Sequence, residues 1–397
     1  MTIRMRGFRF GAAQAGLKRV GLDLGLVVAD APAPAVAMFT RNLVRAAPVE
    51  VGIDRVRRGT VQAVLVNSGN ANACTGEPGL EATLRSTTLV AEALGIDARL
   101  VFPASTGVIG RPLPVDRIAQ ALPALVNSLS EEGAGAFASA IMTTDRFEKI
   151  ATARVDTGEG DAHVLGIAKG AGMIHPDLAG ADAALPHATM LAFLFTDLVA
   201  EPEELRAALE SAVDTSFNAC TVDGDTSTND TALLLASGAS RCRAAPAALA
   251  AALGEVCREL AIKMVEDGEG AEHAIEIRVS GLASREEART VARTVASSLL
   301  VKTAFYGKDA NWGRLLAAAG RAGVRFDPRA AQIAIGGVAI VRGGVALGEE
   351  AEVEASKVLA EPRFAVDLVL GGGPGAFSYF TSDLGHGYVD VNAGYRT

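Results

Sequence analysis

The chain has 397 residues, of which 49% are hydrophobic and 5% aromatic, and its formal net charge is −9. This length and apolar content allow two or three core-sized units and exclude a largely disordered chain. The negative charge argues against nucleic acid as the main partner. The four cysteines form no CxxC pair and the five histidines show no metal-ligand spacing, so we predict neither disulfides nor a metal site, and no cofactor.

The N-terminus carries Arg4 and Arg6 without an apolar segment behind them, and no run of apolar residues is long enough to cross a membrane. We therefore expect a cytoplasmic protein. Patterns of period 2 and short apolar runs predict strands. The predicted strands and extended pieces are 22–29, 38–42, 46–51, 62–66, 100–103, 164–168, 190–195, 232–236, 274–279, 302–306, 332–341, 364–370 and 388–391.

Helical spacing of apolar residues alternates with these strands along the whole chain. The predicted helices are 80–94, 115–129, 202–213, 246–265, 285–298 and 315–319. The strands and helices interleave without repeated βαβ units. This order favours an α/β fold of the layered α+β type over a doubly wound parallel sheet.

One stretch, from Lys169 to Asp197, indicates a specific chemistry. A flexible loop of small residues leads to Ala188 and Thr189, and an apolar run follows at once. If the bond between Ala188 and Thr189 breaks, Thr189 gains a free α-amine beside its hydroxyl. Such an amine has a reference pKa of about 7.7–8.0 and activates a threonine nucleophile. Taken alone, this stretch favours the simpler interpretation that Thr189 only opens a buried strand, as β-branched residues often do.

Two polar loops allow competing interpretations. The turn 104–110 after the strand 100–103 has small residues that suit an oxyanion hole, but any strand-to-helix turn has the same composition. Asp223, Asp225, Ser227 and Asn229 alternate like the start of a calcium loop. Thr228 and Leu234 stand where that motif requires Gly and Glu, so a polar active-site or structural loop is favoured.

Ten segments, taken together and in this order, resemble one enzyme family. They are NSGNANACTG (67–76), ASTGVIG (104–110), IMTTD (141–145), KGAGMIHP (169–176), ATMLAFLFTD (188–197), FNACTVDGDTSTND (217–230), DGEGA (267–271), VKTAFYG (301–307), NWGR (311–314) and NAGYRT (392–397). The family is the glutamate N-acetyltransferases of arginine biosynthesis, also called ornithine acetyltransferases.

The resemblance implies a self-cleaving, N-terminal-nucleophile-like architecture. Cleavage would give an α chain, 1–188, and a β chain, 189–397, with two copies of each in a heterotetramer. The threonine at the new N-terminus takes the acetyl group of N2-acetylornithine and passes it to L-glutamate. Some members of the family also accept acetyl-CoA, which would make the enzyme bifunctional.

The resemblance also implies roles for single residues. Thr189 matches the nucleophile, and Thr106 with Gly107 matches the oxyanion pair. The positions that match substrate-binding residues are Thr143, Lys169, Thr189, Glu269, Asn392 and Thr397. The residue types suit amino-acid substrates, because Lys169 can meet a carboxylate and Glu269 an ammonium group.

Two departures from the family pattern bear on this hypothesis. Residues 179–187 are an insertion just before the cleavage bond, and we expect them to form a surface loop. Gly394 stands where an acidic residue is usual. Two alternatives therefore stay open: an aminopeptidase or amidase of the same architecture, and a non-catalytic metabolite-binding relative.

Overall fold

The computed structural model describes residues 3–158, 160–181 and 190–394. Its strands are β1 (Phe8–Ala13), β2 (Leu24–Thr40), β3 (Thr60–Asn70), β4 (Val101–Val108), β5 (Lys149–Asp156), β6 (Asp161–Lys169), β7 (Leu178–Gly180), β8 (Leu191–Thr196), β9 (Cys220–Thr221), β10 (Thr231–Ala236), β11 (Ala274–Gly281), β12 (Gln332–Ile335), β13 (Val338–Arg342), β14 (Val345–Ala346), β15 (Arg363–Val369) and β16 (Gly373–Ser382). The mixed α/β class is confirmed.

The helices alternate with these strands along the chain. They are α1 (Ala47–Arg57), α2 (Gly76–Leu94), α3 (Val115–Asn127), α4 (Ala134–Ile141), α5 (Pro202–Asp214), α6 (Pro246–Glu266), α7 (Arg285–Ala296), α8 (Leu299–Tyr306), α9 (Trp312–Gly320), α10 (Glu349–Val358) and α11 (His386–Gly394), with 3-10 turns at Ala98–Leu100, Phe217–Ala219 and Pro328–Ala330. In the part of the chain that the structure describes, no helix is long and apolar enough to cross a membrane.

The chain divides into two compact units. The first runs to Asn218 and includes Asp225–Leu260, and the second comprises Ala219–Gly224 and the residues from Ala261. This division differs from the expected α and β chains, because both units draw on residues beyond position 189. The predicted cleavage products are therefore fragments of the covalent chain that do not coincide with the two compact units.

The sheet of the first unit is organised by the long strand β2. The strand order is β4-β3-β2-β10-β8-β6-β5, with β1 and β7 also pairing with β2. Side chains of β2 and β3 alternate between two hydrophobic clusters: Val27 and Val64 lie in one, and Leu26 and Leu65 in the other. The sheet is therefore buried on both faces, as the layered arrangement predicts.

The centre of this unit is strand β8, whose six residues are all buried. It pairs in parallel with β10 and antiparallel with β6, so that Leu191 lies opposite both Thr231 and Lys169. The predicted strand that follows Thr189 is thus confirmed from Leu191 onward, and it is central in the sheet. Aromatic rings pack against it, with the centroids of Phe8 and Phe195 5.1 Å apart.

The second unit contains a sheet of order β14-β13-β12-β15-β11-β16-β9. Helix α7 packs Ala288, Val291 and Val295 into its core cluster. The predicted single strand 332–341 is instead the hairpin β12–β13. Gly336 and Gly337, with φ of +56° and +85°, form its two-residue turn, which suits a primed turn.

Three segments expected to be extended are helical. Residues 46–51 begin helix α1, where Pro48 occupies an early position that needs no N–H donor. Residues 302–306 belong to α8, and 388–391 belong to α11. Short apolar runs do not distinguish a strand from a buried helix, which explains the errors in the first two segments.

Candidate active site

Thr106 and Gly107 lie near the end of strand β4, and Thr106 is almost fully buried. Gly107 has a φ of +127°, and a Cβ on it would lie 2.5 Å from the carbonyl carbon of Gly69. Only glycine fits this crossing of β3 and β4, where the pairing register also shifts. The predicted turn 104–110 is therefore largely strand, bent at the predicted oxyanion pair.

Buried asparagine side chains hold the neighbouring loop. Asn67 accepts a hydrogen bond from the Ser105 hydroxyl at 2.6 Å, and its amide donates to the Asn70 carbonyl at 2.8 Å. Asn72, with φ of +47°, donates to Thr83 on α2. The amide-rich segment 67–76 is thus a scaffold under the β4 bend, and its first four residues extend strand β3 instead of forming a loop.

Lys169 ends strand β6 and is 3% exposed. Its Nζ lies 3.7 Å from Oδ2 of Asp145, and Lys149 Nζ lies 2.7 Å from Oδ1 of the same carboxylate. Asp145 also accepts hydrogen bonds from the backbone N–H groups of Thr143 and Gly170 at 2.9 and 2.7 Å. A single buried carboxylate therefore connects two of the predicted substrate residues.

The charges of this cluster explain the protonation state of Asp145. Burial alone would raise the pKa of its carboxyl, but the Lys169 and Lys149 ammonium groups, with hydrogen bonds from Lys149 and the Thr143 N–H, hold that pKa well below its usual range. Asp145 is therefore ionised at neutral pH. One negative charge between two lysines leaves the cluster with an excess positive charge, which suits a carboxylate ligand.

Lys18 connects this cluster to the bend in β4. Its Nζ donates to the carbonyl of Met142 at 3.0 Å. Its Cγ packs so closely on Gly69 that a Cβ added to that glycine would lie only 2.9 Å from it. Burial lowers the pKa of Lys18, while Asp23 and Asp145 oppose the shift. Lys18, Thr143 and Asp145 line an open cleft of about 470 Å³. Lys18 lies in no recognisable motif, so the sequence alone does not predict its place in the site.

The segment 227–231 joins the predicted catalytic elements. Asn229 donates to the carbonyls of Ala71 and Ser105 at 2.7 and 2.8 Å, and Ser105 directly precedes Thr106. The Thr231 N–H donates to the carbonyl of Met190 at 2.9 Å. Asn229 also accepts a hydrogen bond from the Thr228 hydroxyl at 2.5 Å. These bonds identify the segment as a structural loop of the site, and they do not support the calcium-loop alternative at Asn229.

In the second unit, two predicted substrate residues contact each other. Asn392 on α11 donates to Glu269 Oε2 at 2.8 Å. Gly270, with φ of +70°, lies against the backbone of Gly387 and Tyr388, where a Cβ would have no space. The close approach of α11 to this turn brings Glu269 and Asn392 together, although the sequence predicted a strand there.

A further group of the second unit has the composition of a metal site. Glu272, His273 and Asp383 place one ligand atom each within 4.8 Å of one another. However, Asp383 accepts hydrogen bonds from the N–H groups of Glu272 and His273 and lies 3.0 Å from His273 Nδ1. These contacts give the carboxylate a structural role, because they hold the residues before β11 against the end of β16.

Ala188, Thr189 and Thr397 lie outside the described residues, and so do residues 182–187 of the insertion. The first two residues of the insertion, Ala179 and Gly180, are not a surface loop. They belong to β7 and pair with Phe39 and Met38 of β2. The expected surface excursion is therefore wrong for these two residues, because the chain continues the sheet before it reaches Asp182.

The motif order indicates a family, and comparison with known proteins decides it. The family model for ArgJ matches residues 9–397. The chain belongs to the ArgJ family. The arginine biosynthesis bifunctional protein ArgJ of Geobacter sulfurreducens is 46% identical over 403 aligned positions, which cover all of both chains. The resemblance stated above is thereby confirmed, and this ArgJ chain is an acyltransferase of arginine biosynthesis.

One solved structure agrees with this assignment. A crystal structure of ArgJ from Bacillus halodurans is 38% identical, with a TM-score of 0.50; the match covers 52% of this chain and 100% of that one. The ornithine acetyltransferase of Mycobacterium tuberculosis, complexed with ornithine, is 37% identical over 44% of this chain and 94% of its own, with a TM-score of 0.39. The aminopeptidase and non-catalytic alternatives are not favoured.

Proposed function

We propose that this ArgJ chain transfers the acetyl group of N2-acetylornithine to L-glutamate through an acetyl ester on Thr189. The observation that carries the proposal is the buried Lys169–Asp145 pair beside the cleft lined by Thr143. With Lys149, which also contacts Asp145, the cluster has an excess positive charge that matches a carboxylate that both amino acids share. Strand β8, which begins directly after Met190, lies beside the strand that ends at Lys169.

The mechanism follows from the nucleophile outward. The α-amine of Thr189 takes the proton of its own hydroxyl, and the oxygen attacks the acetyl carbonyl. Thr106 and Gly107 stabilise the oxyanion that forms. Collapse breaks the carbon–nitrogen bond, and the proton goes to ornithine as it leaves. Glutamate then enters, and its neutral amine attacks the ester carbonyl. The Thr189 α-amine carries the proton released from that nitrogen to the Thr189 oxygen as the ester C–O bond breaks, which restores the hydroxyl.

In the first unit, Lys169 and Thr143 receive the carboxylate of the substrate. In the second unit, Glu269 accepts a hydrogen bond from Asn392, and its carboxylate suits an ammonium group. We also propose that Thr397 contributes to substrate binding. A donor and an acceptor that use the same groups must bind in turn, which requires ping-pong kinetics.

Self-cleavage at Ala188–Thr189 is part of this proposal. The products would have 188 and 209 residues. A relative supports it: 52% of this 397-residue chain, about 206 residues, accounts for all of the Bacillus halodurans chain. A separate β chain would have that length. We further propose a cytoplasmic heterotetramer of two α and two β chains, with acetyl-CoA as a second acetyl donor.

The test is an intact-mass measurement combined with two assays. The purified protein should give two fragments in place of 40.7 kDa, and should acetylate glutamate from acetylornithine. A parallel assay with acetyl-CoA tests the second donor. Acetate release without glutamate would instead indicate a hydrolase. A single uncleaved band in protein that acetylates glutamate would contradict the Thr189 mechanism.

Variants separate the roles. Thr189→Ala should be inactive and stay a single chain, whereas Thr189→Ser should keep part of the activity. Thr106→Ala should slow turnover by about 10²–10³-fold, the usual loss for one oxyanion donor. Thr88→Ala, on the exposed face of α2, is the control and should leave turnover unchanged. Equal turnover for Thr106→Ala and Thr88→Ala would refute the oxyanion assignment.

A further inference from the structure

The backbone of Lys18 is fixed at one wall of the open cleft. The buried carboxylate of Asp23 accepts three hydrogen bonds from this segment of the chain. The donors are the N–H groups of Ala15, Leu17 and Lys18, at 2.5, 2.6 and 2.9 Å. The Asp23 carbonyl accepts a further bond from the Ser68 N–H at 2.9 Å. Asp23 therefore fastens the segment to strand β3, and its negative charge is shared by the three N–H donors.

The side chain of Lys18 is held at two points as well. Its stem packs on Gly69, and its Nζ donates to the carbonyl of Met142 at 3.0 Å. Met142 directly precedes Thr143, a predicted substrate residue. An ammonium group has three N–H donors, so Lys18 can hold this carbonyl and a ligand carboxylate at the same time. The ammonium is therefore preorganised beside the predicted substrate residues before any ligand binds.

The cleft and the side chains bound to it have more positive than negative charge. The charged side chains that line the cleft of about 470 Å³ are Lys18, Asp145, Arg146 and Glu148. Lys149 and Lys169 add two positive charges through their contacts with Asp145. Among the residues that the structure describes, this set has an excess of two positive charges. A single α-carboxylate would neutralise only one of them.

The two amino acids of the proposed reaction differ in the charge of their side chains. Both have an α-carboxylate, but the ornithine side chain ends in an ammonium group and the glutamate side chain in a second carboxylate. A second cation in the cleft therefore attracts glutamate and repels the side chain of ornithine. Lys169 is 3% exposed and paired with Asp145, whereas Lys18 is only partly buried at the cleft wall. The two lysines are thus suited to different carboxylates.

We propose that Lys18 binds the side-chain carboxylate of glutamate and thereby selects the acetyl acceptor. This role rests on the proposed function, in which Lys169 and Thr143 receive the carboxylate common to both substrates. Burial lowers the pKa of Lys18, and a carboxylate bound beside it favours the ammonium form. The ion pair with glutamate is therefore a charge-assisted hydrogen bond that acetylornithine does not make.

The test separates the two half-reactions. In ping-pong kinetics, kcat/KM for each substrate reports its own half-reaction alone. Lys18→Met keeps an unbranched stem and removes the charge. We expect kcat/KM for glutamate to fall by about 10–100-fold, the usual loss for one charge-assisted hydrogen bond. The value for acetylornithine should stay at the wild-type level, and Lys18→Arg, which keeps a cation, should retain part of the activity with glutamate.

The choice of acceptor gives a second readout. L-glutamine has the shape of glutamate without the side-chain charge, so the wild-type protein should prefer glutamate. The ratio of the two kcat/KM values does not depend on the fraction of folded enzyme. It should fall by about 10–100-fold in Lys18→Met and be retained in Lys18→Arg. Lys18→Gln removes the same charge and allows the same comparison where Lys18→Met folds poorly.

Arg19→Met is the matched control, because it removes an exposed cation from the next position in the chain. It should leave both kcat/KM values and the acceptor ratio unchanged. Equal losses with acetylornithine and glutamate in Lys18→Met, or an unchanged ratio of glutamate to glutamine, would overturn the proposal and assign Lys18 a structural role. Wild-type protein that forms no acetyl adduct with acetylornithine would refute the proposed function itself, which is a different outcome.

Discussion

Asn229 donates its side-chain amide to the carbonyl of Ser105 at 2.8 Å, across 124 positions of sequence. The same amide binds the carbonyl of Ala71 at 2.7 Å. One side chain therefore fixes the segment before Thr106 and the loop that crosses Gly107. The residues next to Asn229 join β10 to β2 and to Met190. Asn229 therefore couples the geometry of the predicted oxyanion strand β4 to that of β8.

The first prediction is that Asn229→Ala lowers both stability and turnover. Two buried carbonyl oxygens lose their donor, which should cost about 2–4 kcal/mol of unfolding free energy. Turnover should fall by about 10–100-fold, because a small displacement of catalytic groups has effects of that size. Urea unfolding and steady-state assays measure the two effects. Asn42→Ala is the control, because the Asn42 amide makes a longer hydrogen bond, of 3.3 Å, to the carbonyl of Thr226. Equal losses of stability and turnover in the two variants would contradict the prediction.

The second prediction concerns Gly107. Gly107→Ala would place a methyl group 2.5 Å from Gly69 C and 2.7 Å from Asn70 N, in a backbone conformation that alanine avoids. We expect a loss of about 3–5 kcal/mol, the sum of overpacking and a positive φ. Gly110→Ala has the positive φ but free space around it, so it should cost only about 1–2 kcal/mol. Equal unfolding midpoints for the two variants would show that the crossing at Gly107 tolerates a side chain.

The third prediction is a pH dependence of stability in the second unit. Burial lowers the pKa of Lys302 to about 7, although Asp383 and Asp223 oppose it. Between that pKa and the unfolded value of about 10.4 the unfolded chain binds the extra proton, so stability rises with pH. Below about pH 7 both states are protonated and the cost of the buried charge is fully present.

Denaturant unfolding at pH 7 and pH 9.5 measures this effect. Relative to Lys302→Met, the wild-type protein should gain roughly 3 kcal/mol over that interval, because each pKa unit is worth about 1.4 kcal/mol. Lys308→Met removes an exposed lysine and should show no such difference. If the difference in unfolding free energy between the wild type and Lys302→Met does not change with pH, Lys302 stays charged. Its contacts to Thr381 and Ser382 would then hold the charge.

The fourth prediction concerns the insertion before the cleavage bond. Deleting residues 182–187 should leave cleavage intact or faster, because strand β7 ends at Gly180 and is already paired with β2. A gel of freshly purified protein shows the two fragments. Replacing 182–187 with a Gly/Ser segment of equal length is the control for length alone. A folded deletion variant that stays a single chain would show that the insertion is needed for processing.

The sequence predicted the parts of the fold that depend on local pattern. The apolar run after Thr189 is a central strand, and helices α5 and α6 begin at the prolines that indicated them. Motif order alone placed the chain in its family. Short segments such as α8 and α11 were predicted as extended, because fewer than ten residues do not show a period, and packing decided their structure.

The candidate site was predicted less completely, for a physical reason. Asp145 and Asn229 both lie inside motifs of the family, but their roles depend on partners far away in the sequence. Asp145 becomes important only when Lys169 and Lys149 meet it. Lys18 belongs to no motif, and its place in the site depends on tertiary contacts with Met142 and Gly69.

The acetyl-enzyme is the most direct test of the central claim. The protein should be incubated with N2-acetylornithine alone, without glutamate, and the 209-residue fragment measured by intact mass. The proposed mechanism predicts an adduct of ~42 Da that maps to Thr189 and disappears on addition of glutamate, together with parallel initial-rate lines for the two substrates. Absence of the adduct, together with intersecting lines, would contradict it.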